Sequence, residues 1–198
     1  QNIYGTSGMA PLMIIGTVPL YNAFAVIVLS LLKPGQRKMD KALLQKTLKG
    51  IVTNPIILGI AAGFVWAILK IPQPEILQKT VKNMAVLATP LGLMAMGASF
   101  EGKKALGKLK PTLIASALKL VVLAAIFLPM AVRLGYRESE LVAILVMLGS
   151  ATTVSSFVMA RNMGHEGVLT SSIVMVTTLC SAFTLTGWLF LLKTLGLV

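Results

Sequence analysis

One stretch decides how this chain must fold: LGSATTVSSF, residues 148–157. It lies in the middle of an apolar run, residues 141–160, which is long enough to cross a bilayer as a helix at about 1.5 Å of rise per residue. Six of the eight residues from 149 to 156 are glycine, serine or threonine. Such residues support a helix poorly, and the hydroxyls compete for backbone hydrogen bonds.

Two interpretations of this polar centre are open. Non-helical backbone at membrane depth persists only where protein or a water-filled cavity satisfies it, and transporters place substrate sites at such broken helices. Alternatively, small hydroxylated residues allow two helices to pack closely. The first interpretation predicts a break in the helix, whereas a purely structural or sensory membrane module would have a continuous one.

Composition places the chain in a membrane. Of its 198 residues, 56% are hydrophobic and 12% are charged, and the mean hydropathy is +0.87, which indicates an all-α polytopic membrane protein. The net charge of +12 does not indicate a nucleic-acid partner, because the basic residues cluster between apolar runs. One cysteine and one histidine provide neither a disulfide framework nor a metal site. We therefore expect no cofactor and no enzymatic activity.

Six transmembrane segments are predicted. They are residues 9–32, 53–69, 76–100, 111–132, 141–160 and 168–195. The first contains Pro19, which frees a backbone carbonyl, and Asn22, which either lines a polar cavity or bonds to a neighbouring helix. The second and third form a hairpin that we interpret as scaffold, because neither carries an ionisable residue at mid-depth.

Basic connectors set the predicted orientation. Residues 36–50 have an apolar face and a lysine-rich face, which is typical of an interfacial helix on an anionic leaflet. A second basic connector follows the third span. If both are cytoplasmic, that side holds eleven basic residues and the other side six, so both ends of the chain lie outside.

Lys119 lies inside the fourth span, about 12 Å of helical rise beyond Pro111. A lysine at this depth is costly and indicates a functional role. Thr112 and Ser116 share its helical face, so the span has a polar stripe. The alternative is that Lys119 extends back to the cytoplasmic interface.

A faint internal repeat is also present. Gly-x-x-Gly precedes a long span twice, at residues 5–8 and 164–167. Five spans separate the two copies, so the helices that follow point in opposite directions, as an inverted repeat requires. The repeat predicts that a counterpart of the broken helix lies upstream of residue 1.

Three motifs resemble the auxin efflux carrier family of membrane transporters, within the superfamily that includes the bile acid and arsenite transporters. They are NPIILG at 54–59, ATPLGLMAMG at 88–97 and SSFVMARNMG at 155–164. Tyr21-Asn22 and the hydroxyl-rich last span fit as well. The family usually has ten helices in an inverted repeat of five plus five, so this chain resembles the last six, with the first four upstream or on another chain.

The resemblance implies a division into domains. Residues 1–35 would form the last helix of the N-terminal repeat, in the transport domain, and residues 36–50 a connector. Residues 51–102 would be the scaffold hairpin. Residues 103–198, including the broken helix 141–160, would complete a transport domain in which two broken helices cross.

The resemblance also implies a function: an elevator-like secondary transporter of small organic anions such as carboxylates, working as a uniporter or coupled to protons or sodium. It would be a homodimer through its scaffold helices, in the bilayer of a bacterial inner membrane. The hydroxyls that we assign to substrate binding are those of Thr152, Thr153, Ser155 and Ser156. Asn22 would line the site, and Lys119 would balance charge or take part in proton coupling. The family often has proline where Ala151 stands, so a milder break is expected.

Overall fold

The computed structural model describes residues 10–32, 45, 49–50, 52–53, 55–70 and 72–198. Within these ranges all regular secondary structure is helical. The first Gly-x-x-Gly, at 5–8, and most of the basic connector at 36–50 lie outside the described residues.

Nine α-helices and one π-helical turn have bounds within the described part of the chain, where residues 45, 49–50 and 52 are helical as well. The α-helices are α1 (Ala10–Leu31), α2 (Pro55–Ile68), α3 (Glu75–Ala98), α4 (Gly102–Gly107), α5 (Leu109–Ala117), α6 (Leu123–Arg133), α7 (Glu138–Gly149), α8 (Val154–Asn162) and α9 (Val168–Thr194). The π-helical turn, Leu118–Val122, joins α5 to α6 in one continuous rod of 25 residues.

Four segments of the described chain are long and apolar enough to cross a membrane. They are α3, the α5–α6 rod, α7 together with α8, and α9. Shorter apolar helices cover Gly16–Ser30 and Ile57–Ile68. The prediction of an all-α membrane protein is confirmed, and the count of six spans remains a prediction.

The best-packed core lies between α6, α7 and α9. Leu128, Leu141, Leu145 and Leu192 are each at most 3% exposed, and Ala124 leaves room for close approach of the helices. By contrast, α3 buries Met96 alone among its described side chains. Apolar side chains that face outward are expected on a helix surrounded by lipid.

Contacts between the connecting segments show which helix ends lie on the same side of the molecule. Lys108 Nζ lies 3.2 Å from Glu166 Oε2, and His165 Nε2 lies 2.9 Å from the carbonyl oxygen of Leu29, so the ends of α1, α4 and α8 meet at one side. At the other side, the Glu138 N–H donates to the Leu197 carbonyl at 3.0 Å. This arrangement agrees with the count of basic residues, which placed the same helix ends on the more basic side of the membrane. The assignment of that side to the cytoplasm remains a prediction.

Candidate functional site

The helix predicted over residues 141–160 is interrupted at its centre. Helix α7 ends at Gly149, and Ser150 is extended, with φ −69° and ψ 158°. Thr153, immediately before α8, is also extended, with φ −72° and ψ 146°. The break therefore spans residues 150–153 and forms although Ala151 stands where a proline would force it.

One buried threonine of α9 anchors the non-helical backbone. The Thr152 N–H donates to Thr177 Oγ1 at 3.1 Å, and this hydroxyl in turn donates to the Ile173 carbonyl at 2.7 Å. Thr177 is 0% exposed, so a buried hydroxyl satisfies a partly buried main-chain group of the break. Gly149, the last residue of α7, also has little room for a side chain, because a Cβ there would lie 3.1 Å from Leu185 Cδ2 of α9.

Lys119 reaches the other edge of the break. Its Nζ donates to the Leu148 carbonyl at 2.9 Å and to the Met147 carbonyl at 3.3 Å. The last carbonyls of a helix lack intrahelical donors and carry partial negative charge, which a cation stabilises. Lys119 therefore caps the C-terminus of α7, and its ammonium group points to the break and not to the interface.

Lys119 lies in the π-helical turn next to Leu120, whose main-chain carbonyl accepts a hydrogen bond from another helix. Trp188 Nε1 of α9 donates to the Leu120 carbonyl at 3.2 Å. Local π-helical geometry displaces the usual backbone bonds and occurs frequently at functional sites. Thr112 and Ser116, the other members of the predicted polar stripe, are 3% and 4% exposed, on a helix that packs against α9.

The N-terminus of α8 begins without a side-chain cap. Thr153 occupies the capping position, but its Oγ1 lies 2.8 Å from Ser155 Oγ and bonds to no N–H of the helix. Ser156 Oγ donates to the Thr153 carbonyl at 2.7 Å. Because the first N–H groups of a helix have no intrahelical acceptor, this end carries partial positive charge and is suited to an anion.

A cavity of about 670 Å³ opens at this end of α8. Its walls come from α3, the break with the start of α8, and α9. The polar side chains in the lining are those of Thr89, Thr152, Thr153, Ser155 and Thr178. Among the described residues that line it, none carries a charge, so the polar surface consists of hydroxyls and the helix end.

The structure brings together three of the five residues predicted to bind substrate. Thr152, Thr153 and Ser155 line the cavity. Ser156 is engaged with the backbone of the break, as described above. Asn22 is 4% exposed, and its Nδ2 donates to the Val18 carbonyl one turn away at 2.8 Å; it does not belong to the described lining, although α1 packs against α8.

Sequence reasoning missed the contribution of α3. Thr89 and Gly92 lie one turn apart and both line the cavity. A Cβ at Gly92 would lie 2.8 Å from Val154 Cγ1, so the absence of a side chain lets α3 contact the first turn of α8. The residues of α3 that line the cavity include no ionisable side chain, and the one pattern that they leave in the sequence is a threonine and a glycine at i and i+3.

Comparison with known proteins adds one match. The family model described as membrane transport protein matches residues 9–189, a range that contains the break, the cavity and Lys119. No curated protein and no solved structure matches the chain.

Proposed function

Because this chain belongs to the membrane transport protein family, whose members are transporters and not enzymes, we propose that it is a secondary transporter of small organic anions. Membership of the family supports a role in transport, and the geometry of the break supports an anionic substrate. In this proposal the carboxylate of the substrate binds at the N-terminus of α8.

The observation that carries the proposal is the open, uncapped end of α8 facing the 670 Å³ cavity. A carboxylate accepts hydrogen bonds from helix N-terminal N–H groups and from hydroxyls. Thr152, Thr153 and Ser155 supply those hydroxyls at the cavity surface. The volume is within the range of about 300–1,000 Å³ that is usual for small-molecule sites.

The ends of α7 and α8 at the break differ in how their partial charges are balanced. The C-terminus of α7 carries partial negative charge, which Lys119 offsets through Met147 and Leu148. The N-terminus of α8 has no counterpart of opposite sign among the described cavity residues. The break therefore has an excess of positive charge, which favours an anion and supports a role for Lys119 in charge balance or proton coupling.

The proposal also covers the movement of the domains, the orientation in the membrane, dimerisation and coupling. Helices α5 to α9 form one packed unit, and α3 packs mainly against α8. We propose elevator-like movement of α1 and α5–α9 against an α2–α3 scaffold, although α1 packs against α2 as well as against α8. We place the basic helix ends in the cytoplasm of a bacterial cell, and we assign dimerisation to the scaffold. Proton coupling, sodium coupling and uniport are all compatible with this site. The Ser156 hydroxyl and Asn22 would join the substrate site only after rearrangement.

The proposal is tested by thermal unfolding of the purified full-length protein with a panel of carboxylates at about pH 5 and pH 7.5. A ligand that binds the native state raises the unfolding temperature by mass action. We expect a saturable rise for at least one anion. Ser155→Leu should remove that rise, because it replaces a hydroxyl at the cavity surface with a bulky apolar group.

The matched control is Thr80→Leu, which changes an exposed hydroxyl on α3 that bonds only to its own helix. This variant should retain the ligand-induced rise. Retained affinity in Ser155→Leu would place the substrate elsewhere. Absence of any response to carboxylates would favour the alternative of a non-transporting structural or sensory module, although the break itself is unexpected in such a module.

A further inference from the structure

A second cavity lies at the basic end of the helices. It has a volume of about 310 Å³ and is lined by Phe100, helix α4, the start of α5 and α9. Its apolar side chains are those of Phe100, Ala105, Leu106, Leu109, Met175 and Val176. It is separate from the cavity at the break, with which it shares no lining residue among those described.

The polar atoms in the lining of this cavity are already paired. Thr112 Oγ1 donates to the Lys108 carbonyl at 2.7 Å, and Ser172 Oγ donates to the Val168 carbonyl at 2.8 Å. The remaining side chains of the lining are apolar. A polar solute would therefore lose hydrogen bonds on entry, whereas an alkyl chain would lose none.

Helix α4 and the residue that begins α5 form an amphipathic segment over this cavity. Gly102, Ala105 and Leu106 share one face of α4 at i, i+3 and i+4, and together with Leu109 at the start of α5 they line the cavity. Leu106 is nevertheless 68% exposed. An apolar face left open beside a lysine-rich face is typical of a helix that lies at a membrane interface.

The lysines of this segment are only partly neutralised. Lys104 Nζ lies 2.9 Å from Glu101 Oε2, and the hydrogen bond that it donates to Glu101 raises the pKa of Lys104. Lys108 pairs with Glu166. Lys103 and Lys110 are exposed and pair with no carboxylate in the described part of the chain. Each is the sequence neighbour of a residue that lines the cavity, Gly102 and Leu109.

We propose that this cavity binds one acyl chain of an anionic phospholipid, whose phosphate is held by Lys103 and Lys110. The charges are complementary to an anionic headgroup, and the hydrocarbon lining is complementary to its tail. Basic connectors face the cytoplasmic leaflet, in which anionic lipids attract each nearby lysine by about 1 kcal/mol. The site is independent of the substrate proposed above.

The test is binding of phosphatidylglycerol and of phosphatidylcholine with identical acyl chains to the full-length protein, measured by native mass spectrometry. We expect tighter binding of phosphatidylglycerol. Lys103→Gln with Lys110→Gln should weaken its binding roughly 30-fold, which corresponds to the loss of two such charges. Ala105→Trp should fill the cavity and also abolish retention of the lipid, with the unfolding temperature reporting that each variant is folded.

The control is Lys82→Gln with Lys193→Gln, which removes the same charge from helices near the opposite end of the molecule and should leave binding unchanged. Three outcomes would overturn the proposal. One is equal binding of the two lipids, and another is full retention by folded Ala105→Trp, which would indicate adsorption of headgroups without a chain site. The third is equally tight binding of glycerol phosphate alone, which would indicate a site for soluble anions.

Discussion

Removal of Lys119 should weaken the broken helix from its α7 side. In Lys119→Met the carbonyls of Met147 and Leu148 lose the donor that now lies 3.3 and 2.9 Å away. A hydrogen bond to a charged group contributes roughly 1.5–3 kcal/mol, and burying the lysine opposes that gain. We therefore expect a net loss of about 2 kcal/mol, or a fall of roughly 4–8 °C in the unfolding temperature for a chain of this size.

A second substitution separates the hydrogen bond from the charge. Lys119→Gln keeps an N–H donor on a side chain that is shorter by about one bond and removes the positive charge. It should recover part of the lost stability, because a neutral donor still pairs with a helix-end carbonyl. If Lys119 also favours the anionic substrate electrostatically, Lys119→Gln should bind substrate as weakly as Lys119→Met does.

Thermal unfolding with and without substrate measures both effects in the same samples. If Lys119→Met unfolds within about 1 °C of the unmodified protein, the capping argument is wrong, since the contact would then contribute nothing net. Unchanged transport and unchanged pH dependence of transport in Lys119→Met would contradict the proposed role of this lysine in charge balance or coupling.

Two further substitutions test the other contacts of the break. Thr177→Val should cost about 1 kcal/mol because the partly buried Thr152 N–H loses its acceptor, whereas Thr177→Ser should cost much less; equal unfolding temperatures for the two variants would exclude this bond as the cause. Gly92→Ala should displace the start of α8, because the new Cβ would lie 2.8 Å from Val154 Cγ1, and should lower substrate affinity. Val154→Ala in the same chain should restore affinity, and failure of this rescue would contradict the assigned contact.

The membrane class and the position of the break could be predicted from the sequence because both depend on local composition. Apolar runs of sufficient length define membrane spans wherever they occur. The cluster of glycine, serine and threonine at 149–156 weakens a helix through its own residues, and the structure ends α7 within that cluster. Family motifs distributed along the chain led to the same class of protein, which the family match confirms.

The partners of the polar groups could not be predicted in the same way. The sequence placed Lys119 at mid-depth, but its acceptors lie 28 and 29 residues away on another helix, and they are main-chain atoms with no residue signature. The π-helical turn that carries Lys119 has no evident signal in its sequence, LKLVV. Such contacts depend on the register between packed helices.

Asn22 and α3 show two reasons why the sequence pattern alone did not define the residues of the site. An asparagine inside an apolar helix indicates either a cavity or a bond to another helix, yet its amide bonds to its own backbone at Val18, as short polar side chains often do. In α3, the residues that face the cavity are small and uncharged, and a search based on charge does not find them. In both cases tertiary placement decides the role of the side chain.

Uptake into proteoliposomes is the most direct test of whether an anion crosses the membrane bound at the N-terminus of α8. Uptake of a radiolabelled carboxylate selected by the thermal screen would be measured for the full-length protein, for Ser155→Leu and for Thr80→Leu. Binding at the N-terminus of α8 predicts saturable uptake that is lost in Ser155→Leu and retained in Thr80→Leu. Saturable uptake with an unchanged KM in Ser155→Leu would contradict it.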